Sequence, residues 1–211
     1  MVIAAVAAFA LNGGSNSTPH FERRLAFYAV IACWFLFGAV FVFKKRTPGA
    51  REAKRDRTAI AGIALEAAGI FMVWFQPLQR KQFAPGPEAV GWGLELLAVI
   101  VAAASVVLVH AACRHLGKQW AVSARLVEGH TLIQDGPYRF VRNPIYLGMF
   151  GMLLATGLFL TQWIPLLIAS LLFILGTYIR IRTEERLLHG AFGSEFEAYT
   201  RRVPAFIPGI Y

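Results

Sequence analysis

Arg180 and Glu184 stand four residues apart in TYIRIRTEERLLHGAFG, so a helix places them on one face with Arg182 and Glu185 alongside. A guanidinium can bind a carboxylate, and a carboxylate can offset a cationic group. The structural alternative is an ion pair at a helix end, worth only a few tenths of a kcal/mol when exposed. Two considerations weigh against stopping there. Adjacent carboxylates near a helix C-terminus oppose its dipole unless they have partners. They also emerge directly from an apolar run, where ionisable groups commonly belong to a functional site.

A second concentration lies upstream in EGHTLIQDGPYRFVRNPIYLG. Asp135-Gly136-Pro137 is a turn signal, and Asn143-Pro144 is a further turn or a helix start. Taken singly, Arg139 and Arg142 read as arginines snorkelling to lipid phosphates, and Tyr138 and Tyr146 as aromatics of the membrane interface. Their concentration in one loop, with His130 close by, favours a polar pocket. The tail FGSEFEAYTRRVPAFIP adds Ser194 with Glu197 three residues on, a capping-box spacing. Phe192, Phe196, Tyr199 and Val203 recur at helical spacing there, so an amphipathic helix lying on the membrane and closing the site from one side is expected.

The elements that must position these residues are apolar. Hydrophobic residues make up 57% of the chain, charged residues 16%, and mean hydropathy is +0.54, which departs from soluble usage. Five spans can be drawn, near Leu25–Phe43, Ala59–Gln76, Val90–Ala112, Ile145–Gln162 and Ile164–Ile181. The expected fold is an all-α, polytopic membrane bundle of about five transmembrane helices with a C-terminal cytoplasmic cofactor site. Residues 1–113 carry three spans, and residues 114–211 carry a loop, a helical hairpin and an interfacial tail. Pro165 suits the first turn of the last span, so the final two spans should form a tight antiparallel hairpin. Gly148, Gly151 and Ala155 favour close helix packing. Glu66 and Glu95 fall inside spans two and three and read as polar groups facing the bundle. The opening segment MVIAAVAAFAL is short and lacks a basic leader, and reads as an interfacial or partly inserted stretch.

Charge supplies the orientation. Of 21 Lys and Arg, seven lie in KKRTPGAREAKRDR, five between Arg114 and Arg142, and five from Arg180 onward, so 17 fall on one side. The positive-inside rule puts the N-terminus outside and the C-terminus in the cytoplasm. The loop ending at Asn143 and the tail after Arg180 then share the cytoplasmic face. Cys33 and Cys113 have no ligand spacing, so neither a disulfide framework nor a zinc site is indicated. P-loop, GxGxxG, HExxH and GxSxG signatures are absent.

The order LGKQW, HTLI, GPYRFVRNPIY, a helical hairpin, RIRTEERLL and FGSEFEAYTRRVPAFIP, from Leu116 to Pro208, resembles the isoprenylcysteine carboxyl methyltransferase family and its phospholipid methyltransferase relatives. The resemblance implies an integral membrane enzyme that uses S-adenosyl-L-methionine without a Rossmann domain. Carried over, the cofactor pocket would hold His130, Thr131, Leu132, Ile133, Tyr138, Asn143, Pro144, Ile145, Tyr146 and Glu184, with Arg180 facing the methyl acceptor. Arg180 and Glu184 would be the catalytic pair. No metal is implied. The acceptor would be lipophilic, with a prenylcysteine-type carboxylate favoured, and would enter from the bilayer.

The sequence departs from the family at two places. Eukaryotic members carry Arg-His-Pro where this chain has Arg142-Asn143-Pro144, and asparagine cannot carry a proton at neutral pH. The family's glutamine before HTLI also has no clear match, Ser123 or Ala124 falling near it. Alternatives kept open are a phospholipid amine methyltransferase, an NADPH-dependent sterol-type membrane reductase, and a non-catalytic transporter or scaffold. For an amine acceptor, Glu185, His130 or a tyrosine would have to take the proton.

Overall fold

Among the described residues the apolar segments form five long helices, and SEFEAYT forms a short one. In the computed structural model the described residues are 18–42, 54–55, 59–75, 88–117, 125–126 and 131–207. Helix α1 spans Thr18–Val42, α2 Ala59–Trp74, α3 Glu88–Leu116, α4 Pro144–Leu160, α5 Trp163–Phe192 and α6 Ser194–Thr200. Three of them, α1, α3 and α5, are long and apolar enough to cross a membrane, while α2 and α4 are shorter apolar helices. The N-terminal segment 1–11 and His130 lie outside the described residues.

The break between α4 and α5 is two residues long. Thr161 donates its N–H to the Gly157 carbonyl and Leu166 to that of Gln162, with Pro165 in the first turn of α5, as the hairpin reading expects. Helix α5 differs from the expected last span. It runs eleven residues past Ile181, through Gly190, and ends at Gly193, whose φ is +49°. RTEERLL is therefore part of the same rod that enters the bundle.

The most extensive interface joins α2 to α5, followed by α3 to α4 and α1 to α3; the hairpin partners α4 and α5 touch each other less. Small residues account for the two closest pairings. A Cβ on Gly69 would lie 2.7 Å from the Ala169 carbonyl oxygen, and one on Gly151 would strike the Ser105 hydroxyl. Gly148 meets Val109 in the same way, and Ala155 is fully buried, so the expected close helix packing is present, with α3 as the partner of α4. One apolar cluster joins Val30, Phe37, Ala102, Val109 and Met152 across α1, α3 and α4. A second joins Val73, Leu153, Leu166 and Phe173 across α2, α4 and α5.

Lys54–Arg55 and Arg125–Leu126 form a two-stranded antiparallel pair, β1 and β2. This pair draws the first basic segment to the loop that precedes α4.

Candidate active site

Site geometry starts at the turn before α4. Gly136, with φ of +56°, opens a short 3-10 turn over Gly136–Arg139. A Cβ there would run into the His115 imidazole, which α3 presents at its end. The turn carries Tyr138 inward, where it is buried. Burial pushes its phenol well above the usual value, with the neighbouring Cys113, Tyr199 and Glu184 adding to the effect, so it stays a neutral O–H.

Arg142 does not snorkel. Its Nη1 donates to the carbonyls of Thr200 and Val203, each at 3.0 Å, and its Nη2 pairs with Glu185 at 2.7 Å. Its backbone N–H donates to the Pro204 carbonyl at 2.9 Å. Asn143 Nδ2 donates to the Ala205 carbonyl at 2.8 Å, and the Tyr199 phenol to that of Tyr138 at 2.7 Å. These five bonds fasten the tail to Tyr138, Arg142 and Asn143, and two more join Gln134 to Glu195 and Arg202. Tyr138 and Tyr146 are both buried, so neither is an interfacial belt residue; Arg139 remains exposed against the Phe140 ring.

Helix α6 departs from two expectations. Gly193 occupies its N-cap, there is no side-chain capping bond, and Glu197 pairs with His189 at 2.9 Å instead of capping. The left-handed φ at Gly193 makes Ser194 the first helical residue, which removes the capping-box geometry. Its apolar face turns inward. Phe196, Tyr199 and Val203 are buried with Leu132, Leu188 and Phe192, so the protein uses this face to cover the site.

Between loop, α5 and α6 lies a cleft of about 80 Å³. Thr131, Leu132, Ile133, Tyr138, Asn143 and Glu184, which the resemblance carries over to the cofactor, line it together with Leu116, Arg142, Glu185, Leu188, Phe196 and Tyr199. Pro144, Ile145 and Tyr146 do not. Pro144 is buried at the start of α4, and Ile145 packs toward the α1–α3–α4 cluster. Tyr146 sits behind the cleft and donates its phenol to Glu184.

Arg180 lies one turn deeper than Glu184. Its guanidinium stacks on the Tyr146 ring at 4.6 Å, and Nη1 pairs with Glu66 Oε2 at 2.6 Å. The other oxygen of Glu66 accepts from Thr177 at 3.0 Å. Glu66 therefore faces the bundle as expected, at 2% exposed, while Glu95 is half-buried. A track of polar groups, Glu184–Tyr146–Arg180–Glu66–Thr177, leads from the cleft into the bundle. Sequence spacing could not reveal Glu66 as the partner, because it comes from a helix 114 positions away. The one trace it leaves is its place between Gly62 and Gly69 on a face that also buries Ala59 and Val73. Among the described residues no group of His, Cys, Asp and Glu is arranged to hold a metal.

Over part of its length the chain is similar to known proteins. The model of the isoprenylcysteine carboxyl methyltransferase (ICMT) family matches residues 96–190. The protein-S-isoprenylcysteine O-methyltransferase of Schizosaccharomyces pombe is 37% identical over 87 residues, covering 41% of this chain and 37% of that protein. That of Saccharomyces cerevisiae is 34% identical over 91 residues, covering 42% and 37%. The cobalt-zinc-cadmium resistance protein CzcN of Cupriavidus metallidurans is 35% identical over 96 residues, covering 44% and 43%. These matches thus span less than half the length of each relative. The structure of a eukaryotic intramembrane Ras methyltransferase, ICMT, shares the fold over 99% of this chain and 93% of its own, with a TM-score of 0.51 and 19% identity. The match to the isoprenylcysteine carboxyl methyltransferase family model thus runs from the first third of α3 to the last turn of α5.

Proposed function

We propose that the protein is an integral membrane methyltransferase that moves a methyl group from S-adenosyl-L-methionine to the carboxylate of a lipophilic, prenylcysteine-type acceptor. The observation that carries this reading is the polar track from the cleft at Glu184 to Arg180 inside the bundle, which joins a water-facing pocket to a cation within an apolar frame.

The cleft residues suit the cofactor chemically. Glu184 can offset positive charge, Tyr138, Phe196 and Tyr199 offer aromatic surface, and the buried Arg142 Nε has no hydrogen-bond partner among the described residues. Bound there, S-adenosylmethionine would supply an electrophilic methyl on a sulfonium. Thr131, Leu132, Ile133, Tyr138 and Asn143 would hold it. Tyr146 fixes the Glu184 carboxylate through its hydroxyl. Arg180 would bind the acceptor carboxylate, which is already ionised at neutral pH and requires no general base. Transfer of that methyl to an oxygen of the carboxylate would leave the carbon–sulfur electron pair on sulfur and would require no proton to move. Holding the two partners in line supplies most of the acceleration.

In this reading residues 114–211 are the catalytic part and residues 1–113 complete the bundle. All five long helices cross the membrane, α2 and α4 being short for a bilayer core of about 30 Å. The N-terminus is outside and the site cytoplasmic; the β1–β2 pairing of two basic segments near α5 supports that orientation. The cofactor enters from water, the acceptor from the bilayer.

Labelled-methyl transfer tests the reading. The purified protein is given methyl-labelled S-adenosylmethionine with N-acetyl-S-farnesylcysteine, phosphatidylethanolamine or a membrane extract. A base-labile ester on the prenylcysteine is expected. Label only on the phospholipid amine would replace the acceptor assignment, and no transfer with no S-adenosylhomocysteine binding would end the reading.

A further inference from the structure

The cation assigned to the acceptor belongs to α5, within residues 96–190, but the group that fixes it does not. Glu66 comes from α2 and accepts from Arg180 Nη1 at 2.6 Å and from Thr177 Oγ1 at 3.0 Å. Both charged side chains are buried, at 2% and 7% exposed. The helices are built to bring them together. A Cβ on Gly176 would lie 2.6 Å from the Gly62 carbonyl oxygen, and one on Gly62 would lie 2.5 Å from Arg180 Cγ. Glycine at both places lets α2 approach until Glu66 reaches the guanidinium, while the Tyr146 ring holds its face.

Resting on the reading of Arg180 as the acceptor-binding cation, we propose that Glu66 is a positioning residue. It orients the Arg180 guanidinium for the acceptor carboxylate, so that α2, outside residues 96–190, contributes to acceptor recognition. An arginine left to itself carries several rotatable bonds and loses rotamer freedom on every binding event. Glu66 and Thr177 take up that ordering when the protein folds, before acceptor arrives. A buried ion pair is on its own weak evidence for stability, since well-packed apolar residues often serve as well. Its place beside the proposed reaction centre is therefore better explained by orientation than by adhesion between helices.

The test compares wild type with E66Q, E66D, T177V, R180Q and the E66Q/R180Q double variant in lipid nanodiscs. Methyl transfer to N-acetyl-S-farnesylcysteine and binding of S-adenosylhomocysteine are both measured. E66Q is expected to raise acceptor KM about tenfold or more while S-adenosylhomocysteine affinity stays at the wild-type value. E66D, which keeps the charge at shorter reach, should fall between. The double variant should be no worse than R180Q, as expected when one residue acts through the other. If E66Q does not fold, T177V carries the test, with a smaller rise in acceptor KM at unchanged S-adenosylhomocysteine affinity. An unaltered acceptor KM in E66Q, parallel loss of both ligands, or additive losses in the double variant would overturn the proposal. Wild type that transfers no methyl to any acceptor would overturn the methyltransferase reading itself, which separates the two failures.

Discussion

The Tyr199 phenol donates to the Tyr138 carbonyl across 2.7 Å, joining the tail to the loop 61 positions earlier. Both rings are buried, and both line the cleft that this bond closes. Tyr199→Phe leaves a buried carbonyl without its donor, at a cost of about 1–3 kcal/mol. A lower Tm and faster hydrogen exchange in residues 194–205 are expected, with the rest of the bundle unchanged.

The same two tyrosines set an alkaline limit. Burial raises both phenols above their ordinary value of 10.0. In the unfolded chain they lose protons near pH 10, while in the folded protein they keep them, so the unfolded state binds fewer protons above that pH. Their contribution is complete below about pH 10 and declines as pH rises further. Denaturant midpoints measured from pH 8 to 11 should hold level and then fall, and Tyr199→Phe should flatten that fall.

Arg142 carries the latch between loop and tail. The cleft it borders holds about 80 Å³ among the described residues, less than the roughly 300 Å³ of the smallest usual ligand sites, so on the proposed function the tail would have to yield for a nucleoside-sized ligand to enter. Arg142→Ala removes two carbonyl bonds and leaves Glu185 unpaired by Arg142. Loss of a partly buried pair of this kind costs about 2–5 kcal/mol. On the proposed function, calorimetry should show weaker S-adenosylhomocysteine binding and stopped-flow measurements a faster dissociation; unchanged affinity would count against the latch.

On the proposed function, Glu184 would separate the two forms of the cofactor by charge. Glu184→Gln keeps an oxygen for Tyr146 but removes the negative charge beside the cleft. S-adenosylmethionine carries a sulfonium that S-adenosylhomocysteine lacks. The variant should therefore lose affinity for the former more than the latter, by about tenfold in the ratio. Equal losses for both ligands would mean that Glu184 does not sense the sulfonium.

Two glycines of α5 should respond oppositely to alanine. At Gly176 a Cβ meets the Gly62 carbonyl at 2.6 Å and Glu66 Cγ at 3.0 Å, whereas at Gly190 nothing lies within 4 Å. Gly176→Ala should cost about 1–3 kcal/mol and reduce methyl transfer, since α2 must back away with Glu66. Gly190→Ala should be neutral or gain up to about 1 kcal/mol from helix propensity. Thermal melts of the two variants check both signs.

Much of this was legible in the chain because apolar length and breakers are local properties. The five apolar segments became the five long helices, and GPYRFVRNPIY and RTEERLL met at one end as their shared polarity implies. The end of α5 was less legible, since polar residues after Ile181 look like a tail while their propensity continues the helix to Gly193. Ser194 and Glu197 carry a capping-box spacing, yet a glycine at positive φ took the cap. Glu66 was visible as a buried carboxylate but not as Arg180's partner, because pairing between helices leaves no periodicity within either one.

Arg142 and Asn143 grip the tail by its main chain alone. Arg142 and Asn143 reach the carbonyls of Thr200, Val203, Pro204 and Ala205, not their side chains. The freedom to vary is therefore lopsided. Side chains at Thr200 and Ala205, which are only half-buried, can be exchanged or labelled without unfastening the clasp. A single change at Arg142 undoes several bonds together. A fluorophore at position 205 would accordingly ride on the tail as a reporter of its opening, without itself prising it loose.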